Sequence, residues 1–168
     1  MADLSTHARR LFRFPNPVDE RSARLVAGGV VLLSAAALVS GADWLIVVIA
    51  YGFVARVLTG PKLSPLGLVV TRLITPRLRG PAILVPGPPK RFAQGIGATL
   101  TVAAAILALG FGEQTAANVL LALVIVAATL ESVFALCLGC RVFALLMQVG
   151  LIPASVCEEC DDIWRRAA

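Results

Sequence analysis

The four cysteines of the chain form two C-x-x-C pairs, Cys137 with Cys140 and Cys157 with Cys160. Two thiols at this spacing can exchange a disulfide, pass on sulfur or bind a metal ion. The chain has a single histidine and no run of histidines and carboxylates. The cysteines are therefore the main candidates for chemistry.

A redox or sulfur-carrying role needs a reactive thiolate, which a helix N-terminus or a nearby cation favours. Ser155 to Glu158 reads S-V-C-E and matches a capping box, which would place Cys157 in the first turn of a helix. We therefore expect Cys157 to attack and Cys160 to resolve. Cys137 is expected at the C-terminal end of a helix, where the dipole disfavours an anion. The acidic residues around the second pair oppose thiolate formation there.

A metal site is the alternative use of the same residues. The pattern C-x2-C-x16-C-x2-C, formed by Cys137, Cys140, Cys157 and Cys160, falls within the spacing of four-thiolate zinc sites. The apolar segment 142–152 would have to fold back to bring the pairs together. Inert thiols are the third alternative.

The composition indicates the elements that position these cysteines. Apolar residues make up 58% of the 168 residues and charged residues only 15%, and the mean hydropathy is +0.88. Such a chain has too little polar surface for a soluble globule, which excludes a soluble enzyme, a nucleic-acid binder and a disordered chain. We expect an all-α integral membrane protein with four transmembrane helices arranged as two hairpins, at about Ala23–Ser40, Trp44–Thr59, Phe92–Phe111 and Ala116–Leu138.

The basic residues predict the orientation of these spans. The net charge is +5, and of the 15 lysines and arginines all but Arg56 lie on one side of the predicted spans. The two short turns, around Asp43 and Glu113, contain no basic residue. By the positive-inside rule, both termini and the long middle loop are expected in the cytoplasm.

Three regions follow from this topology. Residues 1–22 form a cytoplasmic arm, residues 23–140 a four-helix membrane domain with a proline-rich cytoplasmic loop at 60–91, and residues 141–168 a cytoplasmic or interfacial tail that carries cysteines. Apolar residues recur at helical spacing between Leu66 and Ile74, and arginines follow. This pattern predicts an amphipathic helix in the interface that contacts lipid phosphates. A docking loop for a cytoplasmic partner is the alternative.

Two charged residues lie inside the predicted spans. Glu131 lies in the fourth span and Arg56 in the cytoplasmic half of the second. An unpaired carboxylate at that depth is costly. We therefore expect an intramembrane ion pair between Glu131 and Arg56, and a proton or substrate role near the thiols is the alternative.

Two strings of the sequence resemble a bacterial membrane family known as domain of unknown function 4395. They are P-K-R-F-A-Q-G-I-G at 89–97 and E-S-V-F-A-L-C-L-G-C at 131–140, and the resemblance spans nearly the whole chain. It implies a small inner-membrane protein with a C-x-G-C pair after its last span. It also implies an association with sulfurtransferases and thioredoxin-like proteins, and no established activity. The second cysteine pair extends beyond this pattern.

These observations lead to two main hypotheses. In the first, the cytoplasmic dithiols exchange disulfides, or relay sulfur, with a soluble partner such as a thioredoxin-like protein or a sulfurtransferase. In the second, the protein is a non-catalytic scaffold whose tail is held by a four-cysteine zinc site. A transporter would need a polar path, which four short spans could form only as a homo-oligomer.

The predicted topology can be tested with the native cysteines. Because both termini are expected in the cytoplasm, an impermeant thiol reagent added to intact cells should leave Cys157 and Cys160 unmodified. Modification of either residue from outside would contradict the topology.

Overall fold

The computed structural model describes residue 12 and residues 14–157. Within this part the predicted all-α class is confirmed, and four helical segments are long and apolar enough to span a membrane. The helices are α1 Glu20–Ser40, α2 Asp43–Thr59, α3 Pro65–Val69, α4 Gly87–Ala105, α5 Gln114–Phe134 and α6 Leu138–Gln148. Two short strands, β1 Val18–Asp19 and β2 Leu84–Val85, pair antiparallel, with Val18 opposite Val85.

Helix α1 has a clear start and a clear end. Asp19 is its N-cap, and the Asp19 carboxylate accepts a hydrogen bond from the Arg21 backbone N–H at 3.1 Å. Gly41 follows the helix in the left-handed conformation, and its N–H donates to the Ala37 carbonyl. A glycine adopts this conformation without steric cost, so the chain reverses here and α2 begins at Asp43.

The segment after α2 is helical but irregular. A 3₁₀ turn at Gly60–Lys62 leads to α3, and wide π-type turns continue over Val70–Ile74. The Ser64 hydroxyl caps α3 by accepting from the Gly67 N–H. The helix predicted between Leu66 and Ile74 is present as a helical segment, while its place at a membrane interface stays a prediction.

Helix α4 also ends in a π-type segment, Ile106–Phe111, and the chain turns at Gly112 in the left-handed conformation. The Gln114 side chain at the start of α5 donates to the Asp43 carboxylate at 2.9 Å. The α1–α2 and α4–α5 connections therefore lie at the same end of the bundle.

The core lies where the four long helices face one another. Helix α2 packs most extensively on α4, and α1 on α5, while α4 also contacts α5 and α6. The core contains many alanines, including Ala104, Ala117 and Ala128, beside larger side chains such as Phe53 and Leu121. Small residues permit close approach, which drives helix association in lipid.

The outer faces of the bundle carry large apolar side chains. Val39 is 90% exposed, and Trp44 and Ile106 are also exposed. Soluble monomers rarely display so much apolar surface. These faces suit contact with the acyl chains of a lipid bilayer.

The closest approach of α2 and α4 gives a prediction with an internal control. A Cβ atom added at Gly97 would lie 2.2 Å from Phe53 Cε1, whereas a Cβ at Gly95 meets nothing within 4 Å. Gly97→Ala should therefore destabilise the protein by about 1–3 kcal/mol through overpacking. Gly95→Ala, on the same helix, should be neutral or stabilising, because alanine is the better helix former.

The measurement is the thermal unfolding midpoint of each variant in detergent. A midpoint for Gly97→Ala equal to that of Gly95→Ala would show that the two helices do not meet at Gly97.

Candidate functional site

Helix α5 ends at Phe134 because Ala135 leaves the helical conformation. Ala135 has φ 56° and ψ 21°, and its N–H donates to the Leu130 carbonyl. A left-handed conformation costs a non-glycine residue about 1–2 kcal/mol. The predicted extension of the fourth span to Leu138 is therefore wrong, since the chain turns before the first cysteine pair.

Arg24 of α1 fixes this turn from the side. Its Nε donates to the Ser132 carbonyl and its Nη2 to the Val133 carbonyl, both at 3.0 Å. Carbonyls in the last turn of a helix have no partner within the helix and carry partial negative charge. Arg24 satisfies two of them and holds the end of α5 against the beginning of α1.

The first cysteine pair begins a helix. Cys137 is the N-cap of α6 with an extended backbone, φ −86° and ψ 103°. Its carbonyl accepts from the Arg141 N–H at 3.1 Å, and Cys140 lies in the first turn. The prediction that Cys137 lies at a helix C-terminus is therefore wrong, and the dipole of α6 favours a thiolate there.

The glycine between the two cysteines lies against α4. A Cβ atom at Gly139 would come within 2.5 Å of both Cα and Cβ of Ala93. Any larger residue would push α6 away from α4. Gly139 is thus required by the packing, and the contact holds the cysteine pair beside the first turns of α4.

Lys90 forms the ion pair with Glu131. Lys90 Nζ lies 2.8 Å from Glu131 Oε1, and the two side chains are only 8% and 13% exposed. The predicted ion pair between Glu131 and Arg56 is therefore wrong. The reason is lateral placement: α4 packs directly on α5, so the first turn of α4 brings Lys90 to the carboxylate.

Arg56 has other partners. Its Nε donates to Gln94 Oε1 at 2.8 Å and its Nη1 to Ser64 Oγ at 3.1 Å. Its guanidinium carbon also lies 4.4 Å from the centroid of the Phe53 ring. Arg56 therefore joins α2 to α4 and to the cap of α3.

The surroundings of the first cysteine pair shift the pKa values of its two thiols in opposite directions. The Cys140 thiol donates a hydrogen bond to the Cys137 sulfur, and this bond is the largest cause of the lowered pKa of Cys137. The positive charge of Lys90 acts in the same direction. The same hydrogen bond, together with burial, strongly raises the pKa of Cys140. Cys137 is thus the better nucleophile and Cys140 the proton-bearing partner.

A cavity of about 330 Å³ gives access to the pair, and its wall includes Lys90, Cys137, Cys140 and Phe143. Cys137 is 9% exposed. A reactant can therefore reach its sulfur through this cavity. Cys137 also borders a second, mostly apolar cavity, together with Glu131 and Arg56.

The second cysteine pair is only partly within the described residues. Cys157 is buried and disulfide-bonded, whereas Cys137 and Cys140 are free thiols. Cys157 packs against Phe143 of α6. Cys160 and the Glu158 end of the predicted capping box lie outside the described residues.

Metal binding by the four cysteines stays a prediction. Within residue 12 and residues 14–157, no three histidine, cysteine or carboxylate side chains are grouped so that they could hold a metal ion. The predicted zinc site also requires Cys160, which lies beyond them.

Reasoning from sequence missed three residues of this site. From sequence, Lys90 was only one of the basic residues that predict the orientation, and Gln94 was only a member of the string at 89–97. Ala135 gave no signal, because alanine favours the helix that it ends here. The one available clue was that Lys90 and Gln94 belong to the first string of the family resemblance.

Residues 18–148 match the family described as "Domain of unknown function (DUF4395)". This confirms the resemblance seen in the two strings, and the match extends from β1 to the end of α6. No curated protein and no solved structure matches the chain.

The Lys90–Glu131 pair can be tested by a double-mutant cycle. Glu131→Gln leaves the Lys90 ammonium buried without its partner, and breaking a buried pair on one side costs about 3–5 kcal/mol. Lys90→Met combined with Glu131→Gln should be much less destabilised than the sum of the single changes. Thermal unfolding in detergent measures the coupling.

The matched control is the cycle of Glu131→Gln with Arg56→Gln. It should show a smaller coupling, because Arg56 makes its hydrogen bonds to other residues. A larger coupling to Arg56 than to Lys90 would contradict the observed pairing.

The pKa difference between the two thiols predicts their reactivity. Alkylation of Cys137 by iodoacetamide, followed by mass spectrometry against pH, should have a midpoint below that of an ordinary thiol. Cys140→Ala removes the thiol donor and Lys90→Met removes the positive charge, so each should move the midpoint upward. Arg72→Gln, at an exposed position, is the control. Equal midpoints in all four proteins would refute this electrostatic explanation.

Proposed function

The chain belongs to the DUF4395 family, and we propose that it carries out thiol–disulfide exchange at a bacterial inner membrane. The observation that carries this proposal is the placement of Cys137-Leu138-Gly139-Cys140 across the start of α6. The unsatisfied N–H groups in the first turn of a helix favour a thiolate at its N-cap. The pair is reduced and borders a cavity.

The orientation in the membrane is part of the proposal. The four long helices form two hairpins, with the Asp43–Gln114 contact at the non-cytoplasmic end. The cysteine pair lies at the other end, where the basic residues cluster. Both termini and the helical segment around α3 then lie on the cytoplasmic side, and α3 lies in the interface.

The exchange proceeds in two balanced steps. The Cys137 thiolate attacks one sulfur of a partner disulfide, forms a mixed disulfide and releases one partner thiolate. Cys140 then loses its proton and attacks the Cys137 sulfur, which forms the Cys137–Cys140 disulfide and releases the second partner thiolate. The partner disulfide is reduced by two electrons and the Cys137–Cys140 pair is oxidised by two.

Neighbouring charges assist each step. Lys90 lies close enough to stabilise the Cys137 thiolate before attack. Glu131 is held by Lys90 at 2.8 Å, and its charge reaches Cys140 and raises the pKa of that thiol; we therefore assign it as the acceptor of the Cys140 proton. Lys90 therefore acts on Cys137 in the first step, and Glu131 acts on Cys140 in the second.

The partner is a soluble protein with an accessible disulfide, such as a thioredoxin-like protein, or a sulfurtransferase that delivers sulfur as a persulfide. Because Cys137 is mostly buried, the partner must present its sulfur on a protruding segment that enters the cavity. Phe143 borders both the cavity and buried Cys157. This shared neighbour supports joint action of the first pair with the tail.

Trapping of the mixed disulfide tests the proposal. In Cys140→Ser the resolving thiol is missing, so an adduct should accumulate through Cys137 and appear on non-reducing gels of cell membranes. Cys137→Ser is the matched control and should give no adduct. Cys160→Ser tests whether the second pair traps a partner through Cys157 instead.

Metal analysis of the same samples addresses the zinc alternative. A four-thiolate site would contain about one zinc per chain, lost from every single Cys→Ser variant, and no adduct would form. That pattern, or equal adducts from Cys137→Ser and Cys140→Ser, would overturn the exchange proposal.

A further inference from the structure

Arg56 is a buried cation with an unsatisfied donor. The residue is 6% exposed, and its Nε and Nη1 atoms are hydrogen-bonded to Gln94 and Ser64. Its Nη2 atom is buried and has no partner among the described residues. A buried charged donor without a partner is costly, so a site of this kind is expected to receive an acceptor.

The charges around Arg56 do not balance. Lys90 is a second buried cation, at 6% exposure, and Glu131 already accepts from Lys90 at 2.8 Å. Asp19 borders the same cavity, but its carboxylate is already engaged as the N-cap of α1 and as the partner of Arg21 at 3.5 Å. Among the residues that the structure describes, two buried cations, Arg56 and Lys90, thus share the carboxylate of Glu131, which leaves a surplus of one positive charge.

A cavity of about 200 Å³ lies between these groups. Arg56, Lys90 and Gln94 contribute to its wall, and so do the hydroxyl-bearing residues Ser22 and Thr71. Since one water takes up about 30 Å³ of liquid volume, the cavity has room for a small polyatomic ion. We refer to it as the Arg56 cavity.

We propose that the Arg56 cavity binds a tetrahedral oxyanion group, a phosphate or a sulfate, with Arg56 as its principal donor. The unpartnered Nη2 of the guanidinium supplies a charged donor for an oxygen of such a group, and Lys90 adds a second positive charge. The group is supplied either by a free inorganic ion or by the phosphodiester of an anionic lipid. The site is separate from the dithiol, because none of the three cysteines that the structure describes lines the Arg56 cavity, although Lys90 borders both sites.

Ligand-dependent stabilisation of the full chain tests the proposal. The thermal unfolding midpoint of the detergent-purified protein is followed by tryptophan fluorescence. One arm adds inorganic phosphate up to about 20 mM at constant ionic strength. The other compares nanodiscs of phosphatidylcholine with nanodiscs that also contain phosphatidylglycerol. A ligand that binds only the folded state raises the midpoint with a saturable dependence on concentration.

The expected result is a saturable rise of several °C in one arm, lost in Arg56→Gln. In the phosphate arm the rise should be retained in Arg72→Gln. In the lipid arm the comparison is between the wild type and Arg56→Gln, because Arg72 is itself expected to contact lipid phosphates. Arg72 is exposed, so the control removes the same charge away from the cavity. A rise with phosphate identifies a free ion as the ligand, and a rise with phosphatidylglycerol alone identifies a lipid headgroup.

Gln94→Glu keeps the proposal falsifiable if Arg56→Gln fails to fold. The introduced carboxylate would pair with Arg56 inside the protein. The unfolding midpoint without ligand should therefore rise, and the response to ligand should disappear. No saturable response in either arm, or a full response retained in Gln94→Glu, would overturn the proposal.

Discussion

The ion pair between Lys90 and Glu131 is the interaction on which the rest of the site depends. It joins the beginning of α4 to the end of α5 inside an apolar bundle. Buried pairs contribute little net stability, because desolvation offsets the attraction, but a misaligned pair is heavily penalised. The pair therefore fixes the axial register of α4 against α5. That register places the turn at Ala135, and with it the start of α6, beside the first turn of α4.

The same two short stretches of sequence meet at several points. Lys90 and Ala93 lie in the first string of the family resemblance, and Glu131 and Gly139 lie in the second. The ion pair joins one residue from each string, and the Ala93–Gly139 contact joins another. Gln94, also in the first string, holds Arg56 of α2. The two strings are thus the two halves of one helix junction.

The spans were predictable from sequence because hydropathy and length depend only on local composition. Their ends near Ser40 and Thr59 were also close to the prediction. The partner of Glu131 was not predictable, since Lys90 stood just before the predicted third span and only the lateral order of the helices decides between Lys90 and Arg56. The end of α5 at Ala135 was not predictable for a different reason. Nothing local ends α5 there, and the hydrogen bonds from Arg24, more than 100 positions away in sequence, help to hold the turn.

The contact between Gly139 and Ala93 also limits which residues can stand between Cys137 and Cys140. In a C-x-x-C pair the two central residues shape the surroundings of both sulfurs, and in an isolated helix turn either could vary. Here Gly139 packs against Ala93, and this contact leaves no room for even one methyl group. Leu138 faces outward and is 42% exposed. Homologous chains that keep this junction could therefore adapt the dithiol to different reaction partners mainly at position 138 and not at position 139.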